Sequence, residues 1–156
     1  MSEYDQGYWG SITSSVDCHD LMLMMVSSCR CEENYVYSWY IAEFWNTISS
    51  LAMIILGLMG TILHWKTLGS KLSFGYLFII IVGIGSILFH ATLQFEYQMW
   101  DEVPMIWTAC YLLWLLLEEN GYHGYFSLMI LCYCTLATYL TSQSRGSLQF
   151  YLFQLS

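Results

Sequence analysis

WNTISSLAMIILGLMGTIL, residues 45–63, carries no formal charge, and the stretch extended back to Tyr40 holds only Glu43. A helix needs roughly 20 consecutive apolar residues to cross a hydrocarbon core about 30 Å thick. Tyr40–Leu63 therefore reads as a membrane span. Downstream, Leu72–Leu93 is free of formal charge and is interrupted only by small residues and His90. Its Gly83, Gly85 and Ser86 would let a neighbouring helix approach closely.

A third apolar segment, Val103–Leu117, is short by itself, but Trp100 before it and Glu118 and Glu119 after it suit the two membrane interfaces. Pro104 falls where a first helical turn is expected, with Asp101 as a helix cap. A fourth span is expected over Tyr122–Thr141. After Arg145, SLQFYLFQLS is too short to cross. The expected fold is all-α: a polytopic transmembrane bundle of about four helices.

Composition agrees with this reading. Hydrophobic residues make up 57% of the chain, charged residues 10%, and the mean hydropathy is +0.50, outside the usual range of soluble domains. A formal net charge of -8, with Arg30, Lys66, Lys71 and Arg145 as the fixed cations, excludes nucleic acid as a partner, since no basic surface is available for a polyanion. Acidic residues near one membrane face suit calcium, which prefers oxygen ligands; a solvated acidic tail is the plain alternative. Met1–Gly10 is polar where a cleaved leader would need an apolar core, so the first span is expected to direct insertion.

Of the six cysteines, Cys18, Cys29 and Cys31 could pair if that end is lumenal. Cys110, Cys132 and Cys134 lie in apolar segments and read as packing. Cys132 and Cys134, two apart on a helix, point to different sides and make a poor metal clip. Lys66 and Lys71 place the first interhelical loop in the cytoplasm and the N-terminus across the membrane.

Successive spans reverse direction, so the start of span one, the end of span two and the start of span three share one face. That face receives Glu43, Asn46, Ser86, His90 and Asp101. Ser86 and His90, four apart, stack about 6 Å apart along one helix side. A lone histidine in an apolar helix is more often a packing residue, a serine often bonds its own backbone, and Asp101 can be a cap. Their convergence points to function, because ionisable groups at such depth are costly unless paired or metal-bound. Two chemistries fit: a Ser-His-Asp triad, or a metal-activated water with a carboxylate and a hydroxyl as helpers. No glycine-flanked elbow surrounds Ser86, which weighs against the first. Zinc hydrolysis would use His90 as ligand, although a catalytic zinc ordinarily takes three protein ligands. His64 and His123 fall on the opposite face, and His19 lies in a segment with no evident anchor.

GYWG at 7–10, CEENY at 31–35, WYIAEFWNTIS at 39–49 and GSILFHATLQFEYQMWDEVPMI at 85–106 resemble the N-terminal half of the alkaline ceramidases, seven-helix membrane hydrolases in a superfamily with receptor-like members. The resemblance implies zinc-dependent hydrolysis of ceramide to sphingosine and fatty acid in the endoplasmic reticulum or Golgi membrane, with ceramide and related sphingolipids as partners. It makes His90 a zinc ligand, Ser86 the hydroxyl that stabilises the oxyanion, and Asp101 the carboxylate that orients or deprotonates the attacking water. It makes Asp17, Glu32, Asn34 and Glu43 calcium ligands. The family's other two zinc ligands form a His-x3-His pair on its final helix, and this chain has no such pair.

Where the family runs Asp-Trp-Cys-Glu-Glu-Asn, this chain has Asp17, then CHDLMLMMVSSCR, then Cys31. The insertion at 18–30 reads as a foreign segment from a retained intron or an alternative gene model, and it would loosen calcium coordination. Three regions are expected: an acidic N-terminal segment 1–39, a truncated transmembrane ceramidase domain 40–145, and an aberrant tail 146–156. With one of three histidines the chain is expected to be incomplete and inactive. The competing class is a non-enzymatic receptor-like protein or a regulatory membrane isoform.

Overall fold

The computed structural model describes residues 6–14, 34–66, 69–121 and 124–143. Two-residue strands β1 (Gln6–Gly7) and β2 (Gly10–Ser11) pair antiparallel, with Gln6 opposite Ser11 and Gly7 opposite Gly10. Four helices follow among the described residues: α1 (Phe44–His64), α2 (Gly69–Thr92), α3 (Phe95–Glu119) and α4 (Tyr125–Gln143). Each packs on the next, α1 on α2, α2 on α3 and α3 on α4. Apart from the small hairpin, the architecture is the expected all-α bundle.

Helices α1, α2 and α4 are long and apolar enough to cross a membrane. α3, at 25 residues, is the longest of the four, about 37 Å at 1.5 Å per residue. It corrects the sequence reading, because the helix begins at Phe95 and not near Val103. Gln94 takes the N-cap position, Asp101 lies within the helix, and Pro104 is an interior residue. Glu96, Gln98, Asp101 and Glu102 make this first third polar, and an apolar pattern alone passes over it.

The bundle interior mixes small polar with apolar side chains, and many large apolar residues face outward. Thr47, Ser50, Ser73, Ser86, Thr92, Gln98, Glu102 and Thr141 are buried, whereas Leu56, Ile62, Leu63, Leu116 and Leu136 are exposed. That arrangement suits a lipid solvent, in which small residues and interhelical hydrogen bonds hold helices together. Gly57 and Gly60 of α1 admit Ile80 and the Tyr76 ring, and Gly83 of α2 sits against Ile54. The closest approach joins α2 to α3: a Cβ on Gly85 would overlap the Trp100 carbonyl oxygen. Pro104 has no N–H to give that carbonyl four residues earlier, which leaves the oxygen free to face Gly85.

A two-residue link, Leu93–Gln94, turns α2 into α3. Leu93 takes a positive φ of 50°, and its N–H still bonds the Phe89 carbonyl at 2.7 Å. So tight a turn leaves the end of α2 beside the start of α3. Ala42, Phe89 and Leu93 form a small core there, with Ile12, Tyr35 and Tyr97 packed around it. A second core, Ile106, Cys110, Cys134 and Ala137, joins α3 to α4.

Candidate functional site

The start of α1 is tied to the end of α2 by two main-chain bonds: Ala42 N–H to Ala91 O at 3.0 Å, and Glu43 N–H to His90 O at 2.9 Å. They carry the Glu43 carboxylate to the imidazole, with Oε2 2.5 Å from His90 Nδ1. Asn46, one turn along α1, donates its amide to the same oxygen at 3.0 Å. Burial by itself would raise the Glu43 pKa. The hydrogen bonds from His90 and Asn46, with the His90 charge, outweigh it and hold the carboxyl below its ordinary value. With Nδ1 turned to a carboxylate, the ring has Nε2 left for another partner, the orientation usual in metal-binding histidines.

One turn before His90, Ser86 lies beside the Asp101 carboxylate across the α2–α3 contact, and both Ser86 and His90 are near enough to influence that carboxylate. Ser50 reaches Ser86 from α1, Oγ to Oγ 3.0 Å. Both serines are buried. Helices α1, α2 and α3 thus each contribute to one polar cluster at one end of the bundle, and the expected neighbours Glu43, Asn46, Ser86, His90 and Asp101 all belong to it.

An N-terminal strap crosses the α2–α3 link beside this cluster. Thr13 and Ser14 both donate their N–H to Leu93 O, at 3.2 and 3.1 Å. Gln94 Nε2 reaches Ser11 O at 3.1 Å and Trp9 O at 3.3 Å. Thr13 Oγ1 donates to Gln94 Oε1 and accepts the Phe95 N–H, each at 2.9 Å. Trp9 Nε1 in turn donates to Tyr40 O at 2.8 Å. The N-terminal segment is therefore anchored as far as Ser14, although nothing local in the sequence marks an anchor there.

Of the residues matched to calcium ligands, Asn34 and Glu43 are described. The Tyr35 N–H bonds Ala42 O at 2.8 Å, which brings the backbone beside Asn34 close to the start of α1. Asp17, Glu32, the insertion at 18–30 with His19, Cys31, His123 and the tail 146–156 lie outside the described residues. His64 sits at the opposite end of α1, its Nδ1 3.2 Å from Gly60 O and its ring stacked on Tyr76. At that same end Lys71 pairs with Glu118 at 2.6 Å. Cys134 is buried and Cys132 exposed, in keeping with their two-residue spacing. Among the described residues no three His, Cys, Asp or Glu side chains lie close enough together to hold a metal ion.

Sequence reasoning missed four participants. Ser50 lies four residues beyond Asn46 and seven beyond Glu43, a helical spacing that places it on the same side of α1. Gln98 and Glu102 are buried next to Asp101 in sequence, joined at 2.6 Å with the i, i+4 spacing of a helical pair. Thr13 gave no local signal, because its partners are more than eighty positions away.

A sequence model of the ceramidase family matches residues 28–155. The chain is 37% identical to a mouse protein, alkaline ceramidase 3, over 86% of this chain and 49% of that one. It is 37% identical to the alkaline ceramidase of Arabidopsis thaliana, over 79% of this chain and 44% of the relative. With alkaline ceramidase YPC1 of Saccharomyces cerevisiae it shares 38% identity, over 72% and 32% respectively. The chain spans about half or less of the length of these relatives.

Proposed function

Because the chain belongs to the ceramidase family, we propose that it forms the N-terminal part of a zinc-dependent membrane amidase that hydrolyses ceramide or a related sphingolipid to a sphingoid base and a fatty acid. The observation that carries this reading is the convergence of Glu43–His90 and Ser86–Asp101 at one end of helices built for a bilayer. The endoplasmic reticulum or Golgi membrane is the proposed location.

His90 fits a metal through Nε2, with Glu43 fixing the ring. When bound, zinc supplies a Lewis acid that polarises the amide carbonyl and acidifies water. Asp101 accepts a proton from the attacking water as its oxygen bonds to the amide carbon. Ser86 turns its hydroxyl proton to the carbonyl oxygen, where negative charge develops. Asp101 then returns the proton to the departing nitrogen as the C–N bond breaks, leaving a free amine and a carboxylic acid. Calcium is proposed to bind through Glu43 and Asn34 together with Asp17 and Glu32; carboxylate and amide oxygens are its preferred ligands. A Glu43 carboxylate has about four acceptor sites, so His90 and Asn46 leave capacity for a cation.

Among the described residues His90 is the one imidazole at this site, and a catalytic zinc takes three protein ligands, so this chain purified alone should hold little zinc and leave ceramide intact. Co-expression with the C-terminal half of the mouse relative should restore hydrolysis, and His90→Ala should abolish it. Equimolar zinc in the chain alone, with chelator-sensitive ceramide hydrolysis, would refute the incomplete site. Failure of every such assembly to cleave ceramide would refute the amidase reading.

A further inference from the structure

The serine and threonine hydroxyls of α1 and α2 mostly bond their own helix. Thr47, Thr61, Ser73 and Thr92 each donate to the carbonyl four residues earlier, at 2.7 to 3.0 Å. That is the default of a hydroxyl in an apolar helix, where no water competes. Ser86 breaks the pattern. Its hydroxyl faces across helices: Ser50 on α1 reaches it at 3.0 Å, and Asp101 on α3 lies beside it, where the α3 backbone packs on Gly85.

We infer that Ser50 is a positioning residue for Ser86, and that its hydroxyl, by donating to Ser86 Oγ, keeps the Ser86 proton directed at the Asp101 side of the cluster. A serine hydroxyl has one proton and two acceptor lone pairs. With Ser50 occupying an acceptor site, Ser86 spends its single proton on Asp101 or on whatever replaces it. The incoming bond also polarises Ser86 and makes it the stronger donor. Without Ser50, the backbone carbonyl of Val82, four residues earlier, is the natural competitor for the Ser86 proton.

Ser50 itself has a choice. Its Oγ lies 2.8 Å from Asn46 O and 3.0 Å from Ser86 Oγ, and one proton cannot serve both fully. Asn46 also holds Glu43. The α1 turn that orients the His90 carboxylate partner is therefore the turn that competes for the Ser50 proton, which couples the two halves of the cluster through Asn46. Both Ser50 and Ser86 are buried, so water is not available to substitute for either bond.

The catalytic meaning of Ser50 rests on the amidase reading above, but its effect on Ser86 does not, and the test separates them. Infrared spectra of the full 156-residue chain in lipid nanodiscs, with 13C-labelled aspartate, isolate the Asp101 carboxyl band by subtraction of Asp101→Asn. Ser50→Ala should shift that band when Ser86 is present and leave it unmoved in a Ser86→Ala background. Ser50→Cys, close in size but a weak donor, should shift it in the same direction, and it serves if the alanine variant does not fold. An unshifted band in the folded Ser50 variants, or the same shift with and without Ser86, overturns the inference. In the hydrolytic assembly, Ser50→Ala should lower kcat about three- to tenfold with KM within twofold, a loss of donor polarisation and not of binding. A KM effect alone, with kcat unchanged, would overturn the positioning role while leaving the amidase reading intact.

Discussion

The Glu43 carboxylate and the His90 imidazole meet at 2.5 Å although 47 positions separate them in the chain. Both side chains are largely shielded from solvent, and each supplies the hydrogen-bond partner that the other would otherwise lack. Replacing Glu43 with Ala leaves the His90 Nδ1 and the Asn46 amide without their acceptor. The expected loss is about 2 kcal/mol, in the range for hydrogen bonds to a charged group, read by reversible unfolding in mixed micelles. In the zinc-bound assembly the same change should weaken metal affinity about 10- to 100-fold, the usual effect of removing a ligand's carboxylate partner. Unaltered stability and zinc affinity together would show that the pair is incidental.

The Glu43 pKa shift also predicts a pH dependence. The folded carboxyl titrates below its ordinary value, so the unfolded chain binds its proton more readily. The contribution to stability is then complete above the ordinary glutamate range, near about 4.3, and is lost as pH falls through the lowered folded value. Metal-free chain should lose thermal stability over that acid window. Glu43→Gln should be less stable at neutral pH and show a flatter acid limb, and an acid limb unchanged by the substitution would place the titrating group elsewhere.

Close helix approach gives a contrast between two glycines of α2. A Cβ at Gly85 would overlap the Trp100 carbonyl oxygen, whereas one at Gly75 meets nothing nearer than Leu112 Cδ2 at 3.8 Å. Gly85→Ala must push α3 away and should destabilise by about 1–3 kcal/mol, the usual cost of overpacking. Gly75→Ala should be neutral or stabilising by up to about 1 kcal/mol, because alanine favours the helix. Because Gly85 adjoins Ser86 and packs on the Trp100–Asp101 backbone, its substitution should also separate Ser86 from Asp101, and Gly75→Ala should leave that approach alone. Equal stability changes at the two positions would contradict the packing.

How far the sequence reaches depends on what enforces each feature. Helices α1 and α2 are legible because lipid demands long uncharged runs: Tyr40–Leu63 and Leu72–Leu93 as read became Phe44–His64 and Gly69–Thr92. α3 was read short because Glu96, Gln98, Asp101 and Glu102 hide its first turns, while the Gln98–Glu102 bond and the contact with Gly85 stabilise them. Alternating topology was enough to bring Glu43, Ser86, His90 and Asp101 to one end. It did not say that Glu43 and not Asp101 would hold the His90 ring, nor that Ser50 would reach Ser86, because those pairings depend on helix rotation and on the two main-chain bonds between Ala42–Glu43 and His90–Ala91. Ser86 likewise reads from sequence as a candidate for bonding to its own backbone, and the structure shows it accepting a bond from Ser50 on α1.

Thr13 supplies the clearest case of a contact with no local signature. Gln94 occupies the N-cap position of α3 and makes no side-chain cap bond, so the first helical N–H, that of Phe95, is satisfied from another part of the chain by Thr13 Oγ1. The same hydroxyl donates to the Gln94 side chain, and Gln94 holds the strand residues Trp9 and Ser11. Thr13→Val keeps the shape and removes the hydroxyl, leaving the Phe95 N–H without its cap. The expected cost is about 1 kcal/mol, as for loss of an ordinary helix cap. Amide exchange measured by mass spectrometry should quicken about fivefold at Phe95 and over 6–14, the two segments the hydroxyl joins, with α4 unchanged. A uniform rise across all four helices would instead mean that Thr13 supports the whole bundle, and no change would mean that the main-chain bonds to Leu93 hold the strap by themselves.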